Sequence, residues 1–177
     1  MVGANNLIVV DTKENNLRLF VENKLLLCTA ILIGKNGATQ FKQEGDGKTP
    51  LGTFGLGIVF GTHDRREINL DESMEYIKIN PNLYWVDDVN SKYYNELVDV
   101  TKVEVEWKSA EHLIEYPIQY EYAIEIKSNQ KNIPGKGSAI FIHCSNCKST
   151  AGCIAVPKYS MIKIMGKLNK NSKIIIK

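Results

Sequence analysis

Short apolar runs rich in β-branched residues, each cut off by Asn, Asp, Gly or Pro, constrain this chain more than any other feature, because such runs suit strands. LIVVD from Leu7, LRLFV from Leu17 and LLLCTAILIG from Leu25 read as strands, with ENK a tight connection between the second and third. QEGDGKTPLGTF, Gln43–Phe54, gathers three glycines and a proline into a loop that leads into a strand over Phe54–Phe60. Further strands are predicted at Tyr76–Ile79, Tyr84–Val86, Tyr120–Ile126 and Ala139–His143, and KIIIK closes the chain as another. Helix is scarcer. One or two turns are expected over Ala110–Tyr116, and a longer segment over Tyr159–Leu168, where Met161, Ile164, Met165 and Leu168 recur at helical spacing behind Pro157. No repeat, low-complexity tract or linker divides residues 1–177. The expectation is one domain, mainly β with a few helices, its sheet closed or sandwiched and its functional loops at one edge.

Composition narrows the function classes. A chain of 177 residues with 44% hydrophobic content buries a proper core. Its 22 basic and 20 acidic residues leave a net charge of +2, too weak a field to draw in nucleic acid. Four unevenly spaced cysteines do not resemble the framework of a small disulfide-stapled protein, so at least one is expected to be there for its reactivity. No apolar run reaches the ~18 residues of a membrane span. The start, MVGANNLIVV, lacks a charged region followed by a long apolar one, so the chain as given reads as soluble, without fixing a compartment.

IFIHCSNCKSTAGCIAV, Ile140–Val156, holds three of the four cysteines and one of the three histidines. Cys153 and His143 make a plausible nucleophile and base: cysteine attacks as thiolate, and a histidine within reach lowers the thiol pKa and carries the proton. Gly152 lets the backbone turn so that N–H groups can face a developing oxyanion. Two blander readings stand beside this one. The residues can be buried thiols and a satisfied histidine, or Cys144-x-x-Cys147 with His143 and Cys153 can bind zinc. A strand running through residue 144 would turn His143 and Cys144 to opposite faces and spoil the zinc site. Cys144 and Cys147 can alternatively form a short, strained disulfide. Elsewhere, Gly45-Asp46-Gly47-Lys48 lacks the full phosphate-loop pattern and reads as a structural turn. Tyr84, Trp85, Tyr93 and Tyr94 read as core, and Asp87 with Asp88 diverge on a strand too much for a two-carboxylate mechanism. His63 and His112 read as surface or structural.

IFIHC and STAGCIAVP, with EGDGKTPLGTF upstream, YWVDDVNSKYYNELVD in the middle and PGKGSAIFIH before the histidine, resemble the L,D-transpeptidase catalytic domain of the YkuD type, especially its ErfK-like branch. The resemblance implies an L,D-transpeptidase β-sandwich or barrel with Cys153 as nucleophile and His143 as its histidine. Thr150-Ala151-Gly152-Cys153 matches the family's Ser/Thr-x-Gly-Cys element, which implies an oxyanion hole around the N–H groups of Gly152 and Cys153. The implied partner is the peptidoglycan stem peptide. A tetrapeptide donor would be cleaved after its L-centre diamino acid, D-alanine released, and the acyl group passed to an acceptor amine in cell-wall crosslinking. No cofactor and no metal are implied; covalent inhibition by carbapenems is, as is an extracytoplasmic place at the wall or in the periplasm. Water in place of the amine would make an L,D-carboxypeptidase, and a non-catalytic wall-binding or zinc-stabilised module is the reading from another class. Three departures from the family stand out. Nine residues separate His143 from Cys153, fewer than usual, Ala151 stands where many members have a second histidine, and Ala155 replaces a frequent arginine or asparagine. They bear on substrate preference more than on chemistry, and no substrate-binding residue is assigned. Cys153 is expected to be the first cysteine alkylated, and Cys28, in an apolar strand, to behave as a small hydrophobe.

Overall fold

The computed structural model describes residues 6–177; the opening MVGAN, part of the start read above for a leader, lies outside them. β1 (Leu7–Asp11), β2 (Asn16–Val21) and β3 (Lys24–Ala30) form an antiparallel meander. Their apolar residues alternate as a half-buried sheet requires, with Ile8, Val10, Leu17 and Leu19 wholly buried. The β2–β3 turn is made by Glu22 and Asn23 at positive φ, the twist that suits a tight hairpin. β3 departs from the expected buried strand. Leu25 and Leu26 are exposed and so is Cys28, whose thiol faces solvent instead of packing as a small hydrophobe.

The chain continues through β4 (Ala38–Thr39), β5 (Thr49–Pro50), the long β6 (Gly52–Gly61), β7 (Tyr76–Lys78), β8 (Leu83–Val86), β9 (Leu97–Asp99) and β10 (Ala110–His112). It ends with β11 (Tyr122–Ile126), β12 (Phe141–Cys144), β13 (Ile154–Val156), helix α1 (Lys158–Met165) and β14 (Lys173–Ile176). The main sheet runs β13-β12-β11-β6-β14-β1-β2-β3, with β7 beside β6. Beyond β3, Leu32 bridges Ala155 of β13, exchanging hydrogen bonds of 2.9 and 2.8 Å, so the two ends of the sheet meet and the barrel is nearly closed. The fold is thus mostly β with one α-helix, as expected.

The segment expected as helical at Ala110–Tyr116 is instead β10 followed by a 3-10 turn at Leu113–Glu115. Its Ala110, Glu111 and His112 pair with Val86, Trp85 and Tyr84 in a small sheet ordered β10-β8-β9, and cross-strand pairing overrides a weak local helical preference. α1 lays Met161, Ile164 and Met165 on a core shared with Ile8, Val59, Ile124, Ile142 and Ile174. A second core gathers Phe60, Trp85, Tyr120, Phe141 and Cys153 on the opposite side of β6, β11 and β12. Among the described residues no helix is long and apolar enough to cross a membrane.

Ile124 is wholly buried between β6 and β12. Truncating Ile124→Ala leaves a cavity in that core and is expected to cost about 3 kcal/mol of unfolding free energy by denaturant titration. A loss under about 1 kcal/mol would show that this part of the barrel relaxes easily.

Candidate active site

β12 and β13 are parallel neighbours, with Ile142 opposite Ile154 and His143 opposite Ala155. Successive strand residues point to opposite faces, so Ile142, Cys144, Ile154 and Val156 enter the core beneath α1. Phe141, His143 and Cys153 belong to the other face, where Tyr120 packs edge-on against both Phe141 and His143. This arrangement takes the zinc ligand set apart. Cys144 is buried in the opposite core, which pushes its thiol up to about 11, while Cys147 is exposed on the loop. All four cysteines are free thiols, and among the described residues no group of three or more His, Cys, Asp or Glu is arranged to hold a metal.

Cys153 is tucked against the strand beside it. Its Sγ accepts from the Phe141 N–H at 3.3 Å and donates to the Ala139 carbonyl at 3.2 Å. Burial, and next the Glu111 carboxylate, push its pKa up to about 12, against weaker lowering by the Phe141 N–H and Lys42. His143 is buried as well, and desolvation lowers its pKa. Its Nδ1 lies 2.8 Å from the Cys144 carbonyl, which can only accept; Nδ1 therefore carries the proton and Nε2 presents its lone pair. This carbonyl orients the imidazole ring. The two side chains line one cavity, yet no hydrogen bond joins them among the described contacts. The resting pair is a neutral thiol and a neutral imidazole, not the ion pair that a histidine in hydrogen-bond reach would favour.

The turn before Cys153 is held from two sides. The Thr150 hydroxyl accepts from the Gly152 N–H at 3.1 Å and donates to the Cys153 carbonyl at 2.7 Å, so one expected oxyanion donor already serves the turn. Gly152 has φ of 150°, and a Cβ there would come within 2.9 Å of the Lys48 carbonyl, so no other residue fits without a shift. Thr49, wholly buried, accepts from the Gly34 N–H and donates to the Gly152 carbonyl, both at 2.9 Å. The GDGK loop is a structural turn as read: the Asp46 carboxylate takes the N–H groups of Gln43 and Lys48 and pairs with Lys42. It also does something the sequence reading missed, because Lys42, Glu44, Gly45 and Gly47 wall a cavity of about 210 Å³ beside Cys153.

A second cavity of about 240 Å³ opens on the other side, lined by His143, Thr150, Tyr116 and Tyr120 among others. Glu111, Ala151 and Cys153 line both. Glu111 was not singled out by sequence, since nothing in its neighbourhood marks it before β10 pairs with β8. The predicted aromatic core splits: Trp85 and Tyr94 are buried, whereas Tyr84 stacks on His112 and Tyr93 meets Trp107 edge-on. Asp87 and Asp88 lie just beyond β8 and not on a strand as read; Asp87 lines the first cavity, and Asp88 takes the N–H groups of Asn90 and Lys108. His63 stacks on Tyr122, away from the site.

The nearly closed sheet, with its cavities at the β12–β13 edge, defines a β-barrel-like domain whose pockets meet at one cysteine. The chain belongs to the YkuD family: the L,D-transpeptidase catalytic domain matches residues 5–176. The structure is similar to an L,D-transpeptidase from Mycobacterium smegmatis, with a TM-score of 0.51 at 13% identity, covering 99% of this chain and 59% of that one. It is similar to the helical cell shape determining protein Pgp2 from Campylobacter jejuni, with a TM-score of 0.55 at 16% identity, covering 99% and 48%. It also resembles the Ldtfm–avibactam carbamoyl enzyme, with a TM-score of 0.52 at 14% identity, covering 98% and 50%. The chain spans between about half and three-fifths of the length of these structures, and the likeness establishes the fold. No curated protein matches it in sequence.

Burial and exposure reverse the expected order of thiol reactivity. In timed alkylation with peptide mapping under reducing conditions at neutral pH, Cys28 and Cys147 are expected to be modified at least about 10-fold faster than Cys153, with no effect of a chelator. Immediate modification of Cys153 would show that its thiol is ionised at rest.

Proposed function

We propose that this domain is a cysteine L,D-transpeptidase acting on peptidoglycan stem peptides. The observation that carries the reading is the placing of Cys153 and His143 in one cavity, with the Nε2 lone pair of His143 left free by the bond from Nδ1 to the Cys144 carbonyl. The donor stem binds with the carbonyl of its diamino-acid L-centre at Sγ. The Cys153 proton passes to Nε2 as Sγ bonds to that carbonyl carbon, and the oxyanion takes a hydrogen bond from the Cys153 N–H. On collapse the C–N bond to D-alanine breaks, and its amine leaves with the proton from Nε2. The thioester is then resolved by an acceptor amine.

The family and the named neighbours support the coarser part of this reading. One is a cell shape determining protein and another a carbamoyl enzyme formed with avibactam, which agrees with a wall substrate and with covalent inhibition, here by carbapenems. An extracytoplasmic place at the cell wall or in the periplasm follows from that substrate. The starting state is neutral, so the proton transfer takes place on attack and not before it.

Incubation with a carbapenem is expected to leave a covalent adduct on Cys153, detected by intact mass and peptide mapping, and none on the Cys153→Ala protein. His143→Ala is expected to slow acylation about 100-fold or more. Acylation at full rate in either variant would sink the assignment. The pH dependence follows from the lowered pKa of His143. Because Nε2 must be unprotonated, the rate is expected to hold from pH 7 down to the ordinary histidine value of about 6.5 and to fall only below it. A fall beginning above pH 7 would point to another base.

A further inference from the structure

Among the described residues, two carboxylate oxygens on the cavity that Cys153 lines have no protein donor. Glu111, on β10 opposite Trp85, accepts through Oε2 from the buried Tyr120 hydroxyl, while Oε1 takes no hydrogen bond among the described residues. Asp87 lines the first cavity with Glu111, and its Oδ1 is buried without a partner. The other charges there are already committed. Lys42 pairs with Asp46, and Glu44 takes the hydroxyls of Tyr94 and Ser138. Lys35 is the remaining cation on that wall, and Lys148 and His143 are the basic groups on the second cavity. A carboxylate oxygen buried without a partner, as Asp87 Oδ1 is, requires a donor, and a substrate ammonium supplies one to it and to Oε1 of Glu111 together.

We infer that Glu111 binds the ammonium group of the amine that resolves the acyl-enzyme and accepts its proton, with Asp87 completing the cationic subsite. This rests on the transpeptidase reading above and assigns it an acceptor site. An amine reaches the pocket as an ammonium ion, which cannot attack. One proton passes to Glu111, and the freed nitrogen lone pair bonds to the thioester carbonyl carbon. The C–S bond then breaks, the second nitrogen proton passes by way of His143 to the leaving sulfur, and Glu111 returns its proton to solvent. The products are the amide, the Cys153 thiol and one released proton. Burial pushes the Glu111 carboxyl up to about 7, only partly offset by the Tyr120 hydroxyl, which suits it to exchange a proton near neutrality. The position fits the role as well, since Glu111 lies on both cavities that flank the sulfur.

The test follows a tetrapeptide stem donor and a tripeptide stem acceptor with a free side-chain amine, by mass spectrometry. It records D-alanine release, amide product and hydrolysed donor for the parent, Glu111→Gln, Glu111→Asp and Asp87→Asn. Glu111→Gln is expected to lose at least tenfold more in amide formation than in D-alanine release, with a raised acceptor KM; Glu111→Asp is expected to recover part of the amide product, and Asp87→Asn to raise the acceptor KM. Tyr120→Phe removes a hydrogen bond that favours the carboxylate, so its amide formation is expected to reach half-maximum at higher pH than in the parent. Equal losses in both half-reactions, or an unchanged ratio of amide to hydrolysis, would overturn the inference while leaving the acyl-enzyme intact. A parent that never forms a Cys153 adduct would instead sink the reading on which it rests.

Discussion

The candidate site depends on β12 and β13 lying side by side and parallel. Parallel neighbours cannot be joined by a tight hairpin, so the chain leaving β12 at Cys144 must travel back along the strand before it re-enters at Ile154. Residues 145–153 make that return as a loop over the sheet edge, and the return ends with Cys153 beside Phe141 and His143 further along the same face. A slip of one residue would turn His143 into the core now filled by Ile142 and Cys144. Closure of the barrel secures the register. The Leu32–Ala155 bridge and the Gly34–Thr150 bridge hold the loop's far end, and the Thr49 hydroxyl ties Gly34 to Gly152.

Electrostatics set the chemistry within this frame. Cys153 is desolvated and faces a carboxylate, so its thiol stays protonated; His143 is desolvated too, so its imidazole stays neutral. Such a pair is inert toward passing electrophiles but can act on a carbonyl held against the sulfur, because charge then develops together with the bond that uses it. Tyr120 connects the parts. Its ring edge abuts His143 and its hydroxyl binds Glu111, so the groups proposed for the two half-reactions share one buried support.

Much of the architecture was legible in the residues. Short β-branched apolar runs marked β1, β2 and the closing KIIIK strand, and ENK marked the turn between β2 and β3, since local pattern and packing agree there. Phe141–Cys144 did run through residue 144, and the opposed faces of His143 and Cys144 followed. β13 was not read, because Ile154–Val156 is too short a run to declare itself without its partner strand. Ala110–His112 failed as a helix for the same reason: its partner lies more than twenty residues earlier in β8.

For the site, sequence alone determined the residue types and their spacing: a histidine at the end of an apolar run, a Gly-Cys pair after a turn, and a GDGKTP loop upstream. These are local properties, carried by neighbours in the chain. Only the tertiary structure decided that the thiol is buried and protonated, that the Cys144 carbonyl orients His143, that Thr49 pins the Gly152 turn, and that Glu111 and Asp87 line one cavity with Cys153. Apart from the bond between the neighbours His143 and Cys144, each depends on distance and desolvation between residues remote in sequence, such as Thr49 and Gly152, and no local pattern encodes the dielectric around a group before the sheet closes over it.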